Sequence, residues 1–192
     1  MAGKSKTEVR VGGGKSVGGY GFRAPLGTTR PADATSAPDA AYIDQGFFGD
    51  DGLSIKTDNG VDKIKDWNLD TIATIQKQNE ATLEVTFRQI SSPEQAKTIF
   101  GEANVTVASG GIANIAYTGE VLPHFQWAFL LEDSNGVGVL DIGDGQLTGI
   151  DGIEFKKDST VDVKATIELF KDDAGVFFNW RQGVAAASGS GE

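Results

Sequence analysis

Two stretches of strict alternation constrain this chain more than anything else in it. Between Ala81 and Ile90, the apolar set Leu83, Val85 and Phe87 alternates with Thr82, Glu84, Thr86 and Arg88. Between Val161 and Lys171, the set Val161, Val163, Ala165, Ile167 and Leu169 alternates with Asp162, Lys164, Thr166 and Glu168. A period of two held over this length describes a β-strand with one face on a core and a wetter face opposite. A third segment, Pro123 to Asp133, puts Phe125, Trp127, Phe129 and Leu131 on one side, while Ala128 and Leu130 share the other with His124 and Gln126. That strand is expected to be covered on both faces.

Weaker strand patterns run over 53–56, 61–67, 69–78, 104–108, 111–117, 137–142, 152–157 and 176–180. Asn59-Gly60, Asn135-Gly136 and Ala174-Gly175 supply the positive-φ positions that tight hairpins need. One segment breaks the pattern. Ser92 can cap a helix, Pro93 suits its first position, Gln95 completes an S-x-x-Q capping box, and Gly101 can terminate it. Ala96, Ile99 and Phe100 form the apolar face of this short helix, about 92–100, which should pack on one face or an open end of the sheets. The fold class expected is mainly β: a β-sandwich or barrel-like domain of about eight to ten strands with one short α-helix.

A length of 192 residues suits one medium domain, and 26 glycines against 5 prolines favour a turn-rich β protein. Residues 1–40 are rich in Gly, Ser, Thr, Ala and Pro and cannot form a core of their own, so they read as an extended N-terminal arm with scattered anchors at Val9, Val11, Val17, Tyr20, Phe22 and Leu26. The alternative is a disordered tail. The domain itself is expected over 41–182, with a flexible, linker-like tail over 183–192.

Composition also excludes function classes. With no cysteine, disulfides and thiolate metal sites are ruled out, and the composition fits a reducing cytoplasm. No apolar run reaches membrane-spanning length, and Val11-Gly12-Gly13-Gly14 falls where a signal peptide would carry its apolar core, so neither membrane insertion nor export by a cleaved signal is expected. A formal charge of −10 opposes wrapping nucleic acid, so any contact with DNA should be non-adhesive.

Catalytic chemistry is poorly supplied. The single histidine, His124, cannot make a triad alone, and in a Phe- and Trp-rich strand it reads as a hydrogen-bonded structural group. Gly12 to Ser16 resembles a phosphate-binding loop only superficially, because Val9 stands where the first glycine is required and no buried strand precedes it. Asp141, Asp144 and Asp151 fit no EF-hand, with Gly143 at the third position and Gly152 at the twelfth, and read as turn-forming aspartates. No cofactor, no metal and no enzymatic activity are expected.

The order of elements carries a resemblance. A Gly-rich arm comes first, followed by the Gly49-Asp50-Asp51-Gly52-Leu53 turn and by Ile64-Lys65-Asp66-Trp67 leading into a long strand. Then come the Glu80 to Arg88 strand, the Ser92-Pro93-Glu94-Gln95-Ala96-Lys97 helix, and the late Val161 to Phe170 strand before a short tail. In this combination the chain resembles the major tail proteins of long, non-contractile-tailed bacteriophages, the subunits of the tail tube. The resemblance spans nearly the whole chain.

It implies a structural virion protein that assembles with itself into stacked, six-membered rings, through whose channel DNA leaves the virion. The implied partners are tail tape-measure, tail-tip and tail-terminator proteins, and the implied location is the virion tail, with assembly in the host cytoplasm. For contacts between subunits or rings the candidates are Val11, Tyr20, Phe22 and Leu26 of the arm and Phe47, Phe48, Leu53 and Trp67 of the loop over 42–67. For the channel wall they are the polar faces bearing Thr82, Glu84 and Thr86, or Asp162, Thr166 and Glu168. Two other readings compete: a carbohydrate- or surface-binding β-sandwich using Trp67, Trp127 or Trp180 as a stacking platform, and the tube protein of a contractile injection or type VI secretion system.

Overall fold

In a computed structural model the structure is described for residues 12–15 and 19–184. Val9, Val11 and Val17 lie outside the described residues. The strands are β1 (Gly21–Pro25), β2 (Ile43–Asp44), β3 (Phe48–Asp58), β4 (Val61–Lys65), β5 (Thr71–Gln76), β6 (Glu80–Phe87), β7 (Val105–Ala108), β8 (Gly111–Ile115), β9 (His124–Asp133), β10 (Gly136–Glu154), β11 (Asp162–Leu169) and β12 (Asn179–Val184); α1 (Pro93–Phe100) follows β6. The protein is mainly β with one short α-helix, as the alternation and the Ser92 signal require.

The main sheet runs β2-β1-β9-β10-β11-β6-β3, with β12 also on β10, and every pairing is antiparallel. At 19 residues β10 is the spine of the fold. Its first part pairs with β9 and β12, its second with β11. Register shifts at Ile142/Gly145, Leu147/Gly149 and Ile150/Gly152 bend it, as bulges do by adding a residue to one strand and increasing its twist. The sheet therefore coils back on itself without closing into a barrel. Phe48, at one end of the strand order, meets Phe129 of β9 at 5.9 Å between ring centroids.

The glycines in β10 are where two separately expected strands become one. Asp141, Asp144 and Asp151 lie inside β10 rather than in turns. Bulges use the same Gly and Asp residues that turns use, and each carboxylate here has a partner: Arg30 and Arg181, His124, and Thr166 respectively. A Cβ on Gly145 would come within 3.0 Å of the Trp127 ring, so glycine lets β10 pass close over that indole, whose N–H donates to Gly145 O at 3.2 Å.

β9 is covered on both faces, as its pattern indicates. Trp127 and Phe129 enter the main core with Leu83, Val85, Phe87, Ile142, Val163 and Ile167. Gln126, Ala128 and Leu130 are buried on the other side, where Phe22, Ala24, Tyr42 and Val139 form a smaller cluster. Thus five residues of the 1–40 segment form β1 inside the main sheet, and Ala34 of the same segment, with Tyr42 just beyond it, packs on that sheet's outer face.

Three local expectations change. The Gly49–Leu53 turn is an irregularity within β3: Phe48 faces Phe87 and Leu53 faces Val85, so residues 49–52 bulge out, with Gly52 at φ 72°. Asn59-Gly60 makes no tight hairpin, because β3 pairs with β6 and β4 with β5, so the four strands form one long ribbon interrupted near Gly60. The reversal comes at its tip, where the Asp66 carboxylate accepts the N–H groups of Asn68 and Asp70.

The Ser92 capping box does not form either. Ser92 makes no side-chain cap, and the fully buried Gln95 instead accepts the Gln89 N–H at 2.7 Å and donates to Gln45 O. Those backbone groups of the β2–β3 link and the β6–α1 link lie within reach of Gln95 and take its side chain in place of the helix start. Ala96, Ile99 and Phe100 are buried as expected, and Gly101, at φ 91°, ends the helix with its N–H on Lys97 O.

Candidate assembly interface

The six polar wall candidates come together on one face. β6 and β11 are neighbours, with Thr82 opposite Glu168, Glu84 opposite Thr166, and Thr86 opposite Lys164. The sequence presented two alternative polar faces, and the register merges them. β3 extends the face with Ser54 beside Glu84 and Lys56 beside Thr82. β10 extends it with Gln146 beside Glu168 and Glu154 beside Asp162.

Charge on this face is mixed but tilted to the acid side. Lys56 pairs with Glu84, Arg88 reaches both Asp50 (2.7 Å) and Asp162 (3.2 Å), and Glu154 holds Lys156 (2.5 Å) and Lys164 (3.4 Å). Hydrogen bonds from Lys156 and Lys164 keep Glu154 below the usual carboxylate range. The Thr160 hydroxyl, and after it Arg88, does the same for Asp162. Glu80, Asp58 and Glu168 have no ion pair among the described residues, so unbalanced negative charge gathers at the Asp58–Glu80 pair and at Glu168 in the neighbouring Thr82 row. Thr86 is buried beneath the β3 bulge, where a Cβ on Gly49 would come within 2.8 Å of it.

This four-stranded part of the sheet has two open edges. Among the described residues nothing pairs with β3 on the side away from β6. Nor, among the described residues, does anything pair with residues 147–154 of β10 on the side away from β11, because β9 stops at the His124–Gln146 pair. Exposed N–H and C=O rows of this length are templates for another chain.

The apolar candidates separate into two groups. Phe22 and Phe48 are only 9% exposed and serve the subunit's own clusters. Tyr20 packs on Phe48 at 5.6 Å and accepts the Phe48 N–H at its hydroxyl (2.8 Å), and Leu53 packs half-buried on the main core. Leu26, Phe47 and Trp67 are free, at 49, 66 and 99% exposed. Val11 lies outside the described residues. The sequence reading passed over the rest of the ribbon: Val61, Ile64, Leu69, Ile72 and Ile75 are also exposed. The available signal was an apolar hairpin with no third strand assigned to cover it.

His124 lies against Asp144, with Nδ1 2.7 Å from Oδ1, and its ring rests 4.7 Å from that of Phe170. The pair ties β9 to β10.

The geometry is that of a building block, with open edges, one polar wall and an uncovered apolar ribbon. No curated protein sequence matches the chain. The family model described as "Phage tail tube protein" matches residues 2–182. The chain belongs to the phage tail tube protein family and is a structural protein of the virion tail.

Proposed function

We propose that copies of this chain close into six-membered rings that stack into the tail tube, and that the acid-tilted face over β3, β6, β11 and β10 lines the channel through which DNA leaves. The observation that carries this reading is the pair of open edges on that one part of the sheet. Three antiparallel steps separate β3 from β10, so the two edge strands run in opposite directions. The β3 edge of one copy can therefore add to residues 147–154 of the next as an antiparallel ladder. Because the two surfaces differ, the contact is heterologous and closes only as a ring. Closure removes both edges at once. Six subunits at −10 each give a ring of about −60, which repels phosphate and keeps DNA sliding.

The ends of such a tube and its bore require other tail proteins: a tape measure inside, a tip complex at one end and a terminator at the other, met in the host cytoplasm during assembly. Leu26, Phe47 and Trp67 are assigned to contacts between subunits or rings. The test is negative-stain electron microscopy of the purified protein across a concentration series, with and without tail-tip complexes. Rings or tubes are expected; compact monomers under every condition would defeat the proposal.

A further inference from the structure

We infer that the apolar groove between β3 and the part of the sheet formed by β9, β10 and β12 is filled by the chain's own residues 1–11, with Val9 and Val11 as the side chains that enter it. The groove measures about 410 Å³ and is walled by Tyr20, Phe48, Leu53, Phe129, Leu140 and Trp180. An apolar hollow of this size left to water forfeits the burial of its walls and marks a place where a segment docks.

The place where these residues leave the fold carries the inference. Gly12 and Gly14 themselves line the groove. The backbone is fastened there, because Gly13 O accepts the Glu132 N–H at 2.9 Å and the Lys15 N–H donates to Leu130 O at 3.0 Å. A Cβ on Gly14 would come within 2.9 Å of the Tyr20 ring, so the chain lies flat on that wall. Three successive glycines then let it turn into the groove. Val11 is one residue from the lining, and Val9 is about 7 Å beyond it along an extended backbone. Thr7, Val9 and Val11 alternate with Glu8 and Arg10, so an extended segment turns both valines to the groove and both charges to water.

Two other occupants fit less well. Residues 185–192 read Ala-Ala-Ala-Ser-Gly-Ser-Gly-Glu, with no apolar side chain larger than alanine, and they follow Val184, at the end of β12 away from Trp180. Residues 1–11 carry Lys4, Lys6 and Arg10 against Glu8, a net +2 in a chain of net −10, so the acidic body attracts them. A second copy offers the same valines, but it must find the groove at its solution concentration. A segment tethered at the wall is present at an effective concentration on the order of millimolar.

The chain has no cysteine, so a probe can be placed at one position, and of its three tryptophans only Trp180 lines the groove. Bimane, a fluorophore that indole quenches on contact, attached to the full chain through Val9→Cys should be dimmed by Trp180. Its emission should rise several-fold when Trp180→Phe is added. The dimming should persist unchanged from micromolar to nanomolar protein, as a contact within one chain must. Equal emission with and without Trp180 would overturn the inference, and so would dimming that fades on dilution, which would give the groove to a second copy. Val9→Ser combined with Val11→Ser should keep the wild-type circular dichroism spectrum yet raise the emission of the apolar dye ANS several-fold. Unchanged dye emission would equally sink the idea. Both measurements are made on dilute subunits, so their outcome is independent of whether rings or tubes form.

Discussion

Arg30 reaches from the loop after β1 to Asp141 in the middle of β10, where its Nε lies 3.0 Å from both carboxylate oxygens. Asp141 has no solvent exposure, and Arg181 of β12 approaches it from another side at 2.7 Å. Arg30 also reaches Asp172 at 2.5 Å. Three distant segments are thus clamped on one buried carboxylate. Removing one partner from a buried ionic group leaves the others uncompensated, a loss of about 3–5 kcal/mol. Asp141→Ala should therefore lower the denaturant midpoint strongly. Arg30→Ala should cost less, because Arg181 still holds the carboxylate. Equal, small shifts in both variants would show that the clamp contributes little.

The same clamp separates two deletions that a uniform arm would not distinguish. Removing residues 2–18 spares β1, Arg30 and the Tyr42 cluster and gives up, among the described residues, only the backbone bonds of Gly13 and Lys15 to β9, so the product should fold with a modestly lowered melting temperature; if the segment also docks on a neighbouring copy, tube formation should fail. Removing residues 2–39 takes away β1, a strand of the main sheet, together with Arg30. That product should be insoluble or unfolded. Thermal melts and electron microscopy of the two deletions decide the matter, and a well-folded 40–192 fragment would contradict the role given to β1.

What the sequence made legible was local. Alternation identified β6, β9 and β11 because each keeps its period without interruption, and Pro93 with Gly101 framed α1. Relations between distant segments were not legible. Arg88 and Asp162 pair across 74 positions, and only that register shows that the two polar faces are one. Gln95 looked like a cap because its spacing from Ser92 is right, yet it bonds backbone groups that the chain brings near it only in the fold. Asp141 looked like a turn residue because the arginines that bury it come from elsewhere.

Gln95 offers a direct measure of that tertiary bond. With the side chain gone, the Gln89 N–H and Gln45 O lose a buried partner, which costs about 1–3 kcal/mol. Gln95→Ala should destabilise by that amount, while Ser92→Ala, which removes no side-chain cap, should stay within about 0.5 kcal/mol. Reversed magnitudes would restore the capping box.

Acid and alkali should act through different groups. Asp162, Asp172 and Glu154 are held below their ordinary values: Asp162 first by the Thr160 hydroxyl, Asp172 first by the Val176 N–H and then Arg30, and Glu154 by Lys156 and Lys164. A depressed carboxylate contributes stability above its unfolded value near 4 and loses it as the pH falls through the folded one. The melting temperature should therefore hold from about pH 7 to 5 and drop below about 4. At the other end, burial, and after it the Asp141 charge, pushes Tyr42 up to about 12. Its neutral form is favoured in the fold, so stability is full below about 10 and falls as the pH rises toward 12. The Tyr42 hydroxyl is buried without a hydrogen-bond partner among the described residues, so Tyr42→Phe should be neutral or stabilising at pH 7 and should flatten the alkaline drop. A variant as alkali-sensitive as the wild type would place the effect elsewhere.

The wall assignment can be tested at Glu168. It has no ion-pair partner among the described residues, and its cross-strand neighbours are Thr82 on β6 and Gln146 on β10. Glu168→Lys should therefore leave folding and assembly intact while reversing one charge per subunit on this face. Glu84→Lys is a harsher change, because it sets a lysine beside Lys56, the partner of Glu84 in the wild type. If the face lines the channel, phage carrying Glu168→Lys should build tails of normal length but eject DNA slowly and lose infectivity, and added salt should partly restore ejection in vitro by screening the new contacts. Glu168→Gln removes charge without reversing it and should fall between the two. Normal ejection in Glu168→Lys would put this face on the outside of the tube, where its charge serves solubility.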